Sequence, residues 1–283
     1  MPRLSLLLLS LLSALAACGP AASDDPCGDG PAHLDGARYG DAERAFEACL
    51  AARTHEWEYE AELRMGLAAA QMALERPEAA LVTYAQILAL LETHTGDSSH
   101  PVVRRNRAMA FLQVGRAEAA LDDLEIALAG WPRDPLIRMI AGSAQLETGQ
   151  AEAAAASFDA ALALAPDDIG ALAGRSAAFA ELGRHDDALA DALDAVSIAP
   201  EDASALNALC WALVKAGRAG DALPTCDAAL EARPDSGAIT HSRAAALEQL
   251  GRLDEARDLY TRAHELDPVS REITADYERT REP

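Results

Sequence analysis

Lysine is nearly missing from this chain. Lys215 is the only one in 283 residues, and 24 Lys and Arg face 46 Asp and Glu, for a formal net charge of -22. Phosphate backbones are held by clustered basic side chains, so the charge excludes a nucleic-acid partner. It also repels anionic headgroups, so any membrane contact has to come through an anchor rather than a basic surface. Aromatic residues make up only 4% of the chain, which leaves β-sheet little to build with. G-x-S-x-G, a P-loop and H-E-x-x-H are all absent from the sequence, and with them the usual marks of a serine hydrolase, a nucleotide binder or a zinc protease. His94, Asp97 and His100 share one loop, but polar residues beside a helix start read as turn residues before they read as metal ligands. No catalytic residue, cofactor or metal site is expected.

What the chain does contain is alanine and leucine, within a hydrophobic fraction of 50%. Small side chains with high helix propensity suit helices packed closely together. The expected class is all-α.

The N-terminus carries an address. Residues 1–17, MPRLSLLLLSLLSALAA, place Arg3 before a leucine run that ends in small residues. This is the layout of a secretory signal, too short for a comfortable membrane span. Its end, Leu15-Ala16-Ala17-Cys18, resembles the lipobox of bacterial lipoproteins. That resemblance implies cleavage before Cys18 and acylation of the cysteine; the plainer alternative is an ordinary cleaved signal with Cys18 free or disulfide-bonded. Each buried methylene contributes about 0.8 kcal/mol, so several acyl chains would hold the protein on a bilayer permanently. Gly19 after the cysteine implies outer-membrane sorting, with inner-membrane retention as the other outcome. Residues 18–31 read as a Gly-, Pro- and Asp-rich tether with a reach of roughly 40 Å when extended. The remainder is expected to face the periplasm.

A repeat dominates the rest. The segments GRAEAALDDLEIALAGWP, GQAEAAAASFDAALALAP, GRHDDALADALDAVSIAP, GRAGDALPTCDAALEARP and GRLDEARDLYTRAHELDP align. Their shared alanines, Ala120, Ala154, Ala188, Ala222 and Ala256, step by 34, and so do Pro132, Pro166, Pro200, Pro234 and Pro268. In each unit a glycine permits a tight turn between two helices and the proline stops the second. Asp134, Asp168, Asp202, Ser236 and Ser270 stand where the next helix needs an N-cap. Neither helix of a pair can bury both of its faces alone, so the pairs must stack.

This frame resembles the tetratricopeptide repeat over about residues 38–281. The resemblance implies an α-solenoid of about six repeats with a concave and a convex side. It reads as a degenerate first repeat over 32–60, the solenoid over 61–270 and a capping helix over 271–283. Pro26, Gly28, Gly30 and Pro31 are expected to break the partner helix of the first repeat. The helices between 56 and 94 are expected to be longer than the rest, because the alanine spacing widens there, and Thr93–Pro101 resembles the junction of the kinesin-light-chain type. Pro224 calls for a second helix that starts late, capped by Asp221.

Four cysteines remain. In a hairpin centred near Arg218, residues 210 and 226 face each other. An oxidising compartment then favours a Cys210–Cys226 disulfide, the alternative being two buried thiols in small core positions. Joining Cys27 to Cys49 would staple the chain's start onto the first repeat, although spacing alone does not set connectivity.

In tetratricopeptide proteins the first helix of each repeat lines the concave groove. Carried over position by position, the resemblance places there Met65, Met72, Val102, Arg105, Met109, Leu112, Leu136, Met139, Leu146, Asn207, Trp211, Val214 and His241. Packing between neighbouring repeats is the competing role for any one of them. Adaptable methionines and one large aromatic anchor suit an extended segment or an amphipathic helix, with Trp211 the leading contact. Trp57 and Trp131 read as structural. Asn106 matches one position of the carboxylate-clamp subclass, but its basic residues do not recur, so that subclass is not expected. Arg107, Arg175 and Arg243 read as pairing with acids on neighbouring helices. The implied function is a non-catalytic, membrane-anchored adaptor that binds other envelope proteins. A self-associating structural element and an enzyme with a cryptic site are the rivals.

Overall fold

The computed structural model describes Cys27, residues 29–52 and residues 56–281. The signal, the acylation site Cys18 and most of the tether lie outside the described residues. The chain divides into two compact units, one up to Val114 and one from Gly115 onward. Among the described residues there are fifteen α-helices and no strand. None of these helices is long and apolar enough to cross a membrane.

The first unit holds α1 (Asp29–Asp35), α2 (Tyr39–Ala52), α3 (Trp57–Ala73), α4 (Pro77–Thr95) and α5 (Pro101–Gln113). The second holds α6 (Ala117–Gly130), α7 (Pro135–Glu147), α8 (Ala151–Leu162), α9 (Ile169–Glu181), α10 (His185–Ile198), α11 (Ala203–Lys215), α12 (Ala219–Ala232), α13 (Gly237–Gln249), α14 (Leu253–Leu266) and α15 (Arg271–Arg281). Within each unit, helices that follow one another pack as antiparallel pairs, and neighbouring pairs lean on one another.

The hairpin turns share one hydrogen-bond pattern. At α7/α8, Gly149 N donates to Leu146 O (2.9 Å) and Gln150 N to Gln145 O (2.8 Å). The same pair of bonds recurs at Gly183/Arg184, Gly217/Arg218 and Gly251/Arg252. This is the Schellman closure, which consumes two orphan carbonyls of the first helix and needs a left-handed residue at its corner. The glycines supply it, with φ between 70° and 76° at Gly149, Gly183, Gly217 and Gly251. In the first unit Glu75 (φ 57°) and Ala37 (φ 52°) take the same corner. Those two hairpins close in the same way, but the glycine that marks the repeat in sequence is gone.

In the second unit the first helices α7, α9, α11 and α13 are capped by side chains. Asp134 accepts from Leu136 N and Ile137 N (2.9 and 3.1 Å), Asp168 from Ala171 N (2.8 Å), Asp202 from Ser204 N and Ala205 N (2.9 and 3.1 Å) and Ser236 from Ile239 N (3.4 Å). Each satisfies first-turn donors that the helix cannot satisfy itself.

Between hairpins, a large side chain of a second helix enters a notch left by glycines. Phe158 of α8 is 1% exposed and lies against Gly142 of α7 and Gly174 of α9; a Cβ on Gly142 would stand 2.7 Å from its ring. Phe46 of α2 does the same between Gly30 of α1 and Gly66 of α3. The missing side chains let three helices close on one ring.

Two expectations are corrected here. Residues 29–35, read as tether and broken repeat, form α1, because Pro31 falls in the first turn, where the missing N–H had no intrahelical acceptor to lose. The first hairpin is therefore complete, and Leu34, Phe46, Leu63 and Leu67 share one core with Cys27 and Cys49. Likewise α12 starts at Ala219 rather than late, and Pro224 sits inside it. Gly220, four residues earlier, has open space where a side chain would be, which leaves room around the carbonyl that Pro224 cannot serve. As expected from their spacing, α3 and α4 run to 17 and 19 residues.

Candidate partner-binding groove

In the second unit the first helices α7, α9, α11 and α13 stand side by side. Trp211 on α11 is half-buried, because its neighbours on that face are the small Ala173, Ala177 and Ala208. Beneath it is a cavity of about 220 Å³ that also reaches Asn207 and the start of α13. The Oδ1 atom of Asn207 is buried and has no hydrogen-bond partner in the protein. Above Trp211 a larger cavity of about 780 Å³ runs from the α7/α8 turn past Glu181 to α15.

A line of polar and aromatic contacts crosses this face. Lys215 Nζ pairs with Glu181 at 2.8 Å and lies 5.0 Å from the Trp211 ring. His241 on α13 is 5.5 Å from the rings of both Trp211 and Tyr260, and its Nε2 contacts Asp276 Oδ2 of α15 at 2.8 Å. Tyr260 donates its hydroxyl to Glu248 at 2.7 Å, and Arg279 of α15 grips the same carboxylate at 2.6 and 2.9 Å. Hydrogen bonds from Arg279, and secondarily from Tyr260, hold the Glu248 carboxyl below its ordinary range. The hydrogen bond to His241, and then that from Arg279, does the same for Asp276. Glu272 goes the other way. Although water reaches it, the walls of the concavity desolvate it and Glu181 and Asp276 add like charge, so its pKa is raised.

The residues expected along this face divide into two groups. Leu136, Met139, Leu146, Asn207 and Trp211 are partly open; Met139 borders a small cavity with Leu136, and Leu146 borders the large one. Val214 is buried, with the Cys210 and Cys226 cluster around it. His241 is 3% exposed, because α15 and Tyr260 cover it. In the first unit Met65 and Met72 pack against the Tyr84 and Ile87 core, Val102, Met109 and Leu112 are partly open, and Arg105 is buried beside Asn106. Branching from a first helix is enough to place a residue near the groove; whether it is reachable depends on what packs over it.

Other candidates fall into structural positions. Cys210 and Cys226 are joined across the α11/α12 hairpin with Cα atoms 5.2 Å apart, and Cys27 and Cys49 are joined with Cα atoms 5.0 Å apart. Arg175 pairs with Asp191 and Asp159 (2.8 and 2.7 Å) and Arg243 with Asp227 (2.6 Å), each an acid on a neighbouring second helix. Arg107 lies over Phe111. His94 stacks on Trp57 at 5.2 Å, and Asp97 accepts from Ser99 N within its own loop. Trp131, read as structural, differs: at the C-cap just past α6 its side chain is 42% exposed. Sequence reasoning missed the role of α15, whose polar composition gave no sign that its side chains would reach across the first helices.

Comparison with known proteins agrees with this architecture. Residues 105–169 and 207–270 match the family model of the tetratricopeptide repeat. No curated protein sequence matches the chain. Among solved structures, a tetratricopeptide repeat protein from Parabacteroides merdae superposes with a TM-score of 0.73 at 16% identity, over 91% of this chain and 98% of that one. A thermophilic TPR protein from Thermus thermophilus gives 0.56 at 24% identity, over 64% and 98%. The APC/C hetero-tetramer Cut9–Hcn1 gives 0.62 at 17%, over 78% of this chain and 42% of the matched one. At such identities the likeness speaks for the fold.

Proposed function

We propose that this chain, a tetratricopeptide-repeat protein, acts as a non-catalytic adaptor that is lipid-anchored at the bacterial outer membrane, faces the periplasm and holds other envelope proteins in the groove of its second unit. The interaction role follows from the repeat architecture; the anchor, the compartment and the class of partner are the finer proposal. Support for the address is the Leu15–Cys18 sequence after an apolar run, together with two cysteine pairs at bonding distance, which an oxidising compartment favours.

The observation that carries the binding reading is Trp211. A large aromatic, half-open on the first-helix face between two cavities, with Asn207 lining the smaller one a helical turn away, supplies the flat apolar anchor that hot spots are built on. A photoreactive phenylalanine analogue at position 207, expressed in cells, should capture an envelope protein identifiable by mass spectrometry. Trp211→Ala should reduce that capture at least tenfold with helicity unchanged. Equal capture by the alanine variant would refute the groove as the partner site. Recovery of the mature chain without an acylated Cys18 would refute the anchor.

A further inference from the structure

The C-terminal helix α15 caps the last repeat, but it also does something a cap has no need to do. Its docking buries only one of its side chains, Ile273, at 3% exposure. Its other contacts are polar or aromatic: Asp276 on His241, Arg279 on Glu248, Tyr277 stacked on His264 at 4.3 Å, and the Thr280 carbonyl accepting from Arg257 at 3.0 Å. Its leading end reaches back to earlier repeats of the same unit. Val269 abuts Gly115, Arg271 Nη1 approaches the Glu147 carbonyl at 3.4 Å, and Glu272 and Ala275 wall the large cavity opposite Leu146 and Trp211. Segment 269–281 therefore lies in the groove as well as on the end of the stack.

Resting on the reading of this groove as the partner site, we infer that α15 is a resident stand-in for the partner. The groove accepts a short helix bearing an apolar residue, a carboxylate three residues on and a guanidinium three further, and an incoming helix with that pattern displaces α15. Ile273, Asp276 and Arg279 follow that spacing, which puts all three on one face of a helix. Two receptors lie on α13 itself, His241 for the carboxylate and Glu248 for the guanidinium, and Ile273 is buried by the docking.

Release of α15 uncovers little apolar surface. Eleven residues are too few to stay helical alone in water, Ile273 is its one buried side chain, and the half-exposed Arg279–Glu248 pair holds weakly, which leaves the Asp276 contact to the buried His241 as the chief bond to break. Segments of this kind open locally while the rest of a protein stays folded. With α15 in place, Arg271, Glu272 and Ala275 wall the cavity that the half-open Trp211 also lines, so its release widens the way to that ring.

The test uses the purified full chain with Trp57→Phe and Trp131→Phe, so that Trp211 is the only tryptophan. Arg279→Glu sets a like charge against Glu248. Expected results are amide exchange in α15 at least tenfold faster with α13 and α14 unchanged, stronger acrylamide quenching of Trp211, and at least tenfold tighter binding of a fluorescein-labelled peptide with the sequence of residues 268–283. Adding Glu248→Arg restores an opposite pair and should return all three readings toward the parent, which separates release from general unfolding. Unchanged exchange and quenching in Arg279→Glu would overturn the inference, as would equal peptide binding by parent and variant. Failure of the groove reading looks different: α15 would release as described while capture at position 207 in cells stayed indifferent to Trp211→Ala.

Discussion

Gly142→Ala is the substitution whose sign best separates this packing from a generic helix. In an exposed helix interior, glycine to alanine stabilises by about 0.5–1 kcal/mol, because alanine has the higher propensity. Here the new Cβ would lie 2.7, 2.8 and 2.9 Å from three atoms of the Phe158 ring, well inside carbon–carbon contact. The ring cannot swing away, because Gly174 meets it from the next helix and Phe158 is fully enclosed. Overpacking of this kind costs about 1–3 kcal/mol, so the net effect should be a loss of about 1–2 kcal/mol. Urea denaturation followed by circular dichroism should show a lower midpoint with an unchanged slope. Phe158→Leu in the same background should recover part of the loss, giving a coupling of about 1 kcal/mol or more in a double-mutant cycle. A Gly142→Ala protein as stable as the parent, or more stable, would refute the notch.

Two further outcomes follow from the same geometry. Reducing the Cys210–Cys226 bond, which closes a loop of sequence separation 16, should cost about 3 kcal/mol on the chain-entropy relation. Comparing Cys210→Ala/Cys226→Ala with the oxidised parent by denaturant midpoint checks this, and equal midpoints would show the bond contributes nothing. Glu272→Gln tests the electrostatics of the groove, where His241, Lys215, Glu181 and Asp276 face residue 272. A raised carboxyl pKa means stability present below the ordinary glutamate range and lost as pH rises through the raised value. Gln removes that loss, so the variant should protect α15 amides from exchange more than the parent at pH 8 and equally at pH 4. A gain of the same size at both pH values would contradict the assignment.

The repeat was legible because its marks are local. A left-handed corner wants glycine, a first turn wants Asp or Ser, and a second helix ends at proline, so each unit wrote its period into the chain at Ala120 through Ala256. Where Ala37 and Glu75 stand in for glycine, the same turns form unmarked, and Gly30 and Pro31 make residues 29–35 read as tether and broken repeat rather than as the first helix of a pair. The cysteine pair of the α11/α12 hairpin could be anticipated for the same reason, since residues equidistant from a turn face each other. Groove membership was less legible. Position on a first helix puts Val214, His241 and Trp211 in related places, yet only packing from other elements buries the first two and leaves the third half-open.

By itself, then, the chain's order of residues determined its class, its stride and the faces each helix must hide, because those depend on neighbours within one turn or one hairpin. Only the tertiary structure decided which rings would sit in glycine notches and that α15 would lie across the groove, holding His241 and Glu248. Those contacts join residues tens of positions apart through exposed charges, and charges on a helix surface carry no period that says what they will meet.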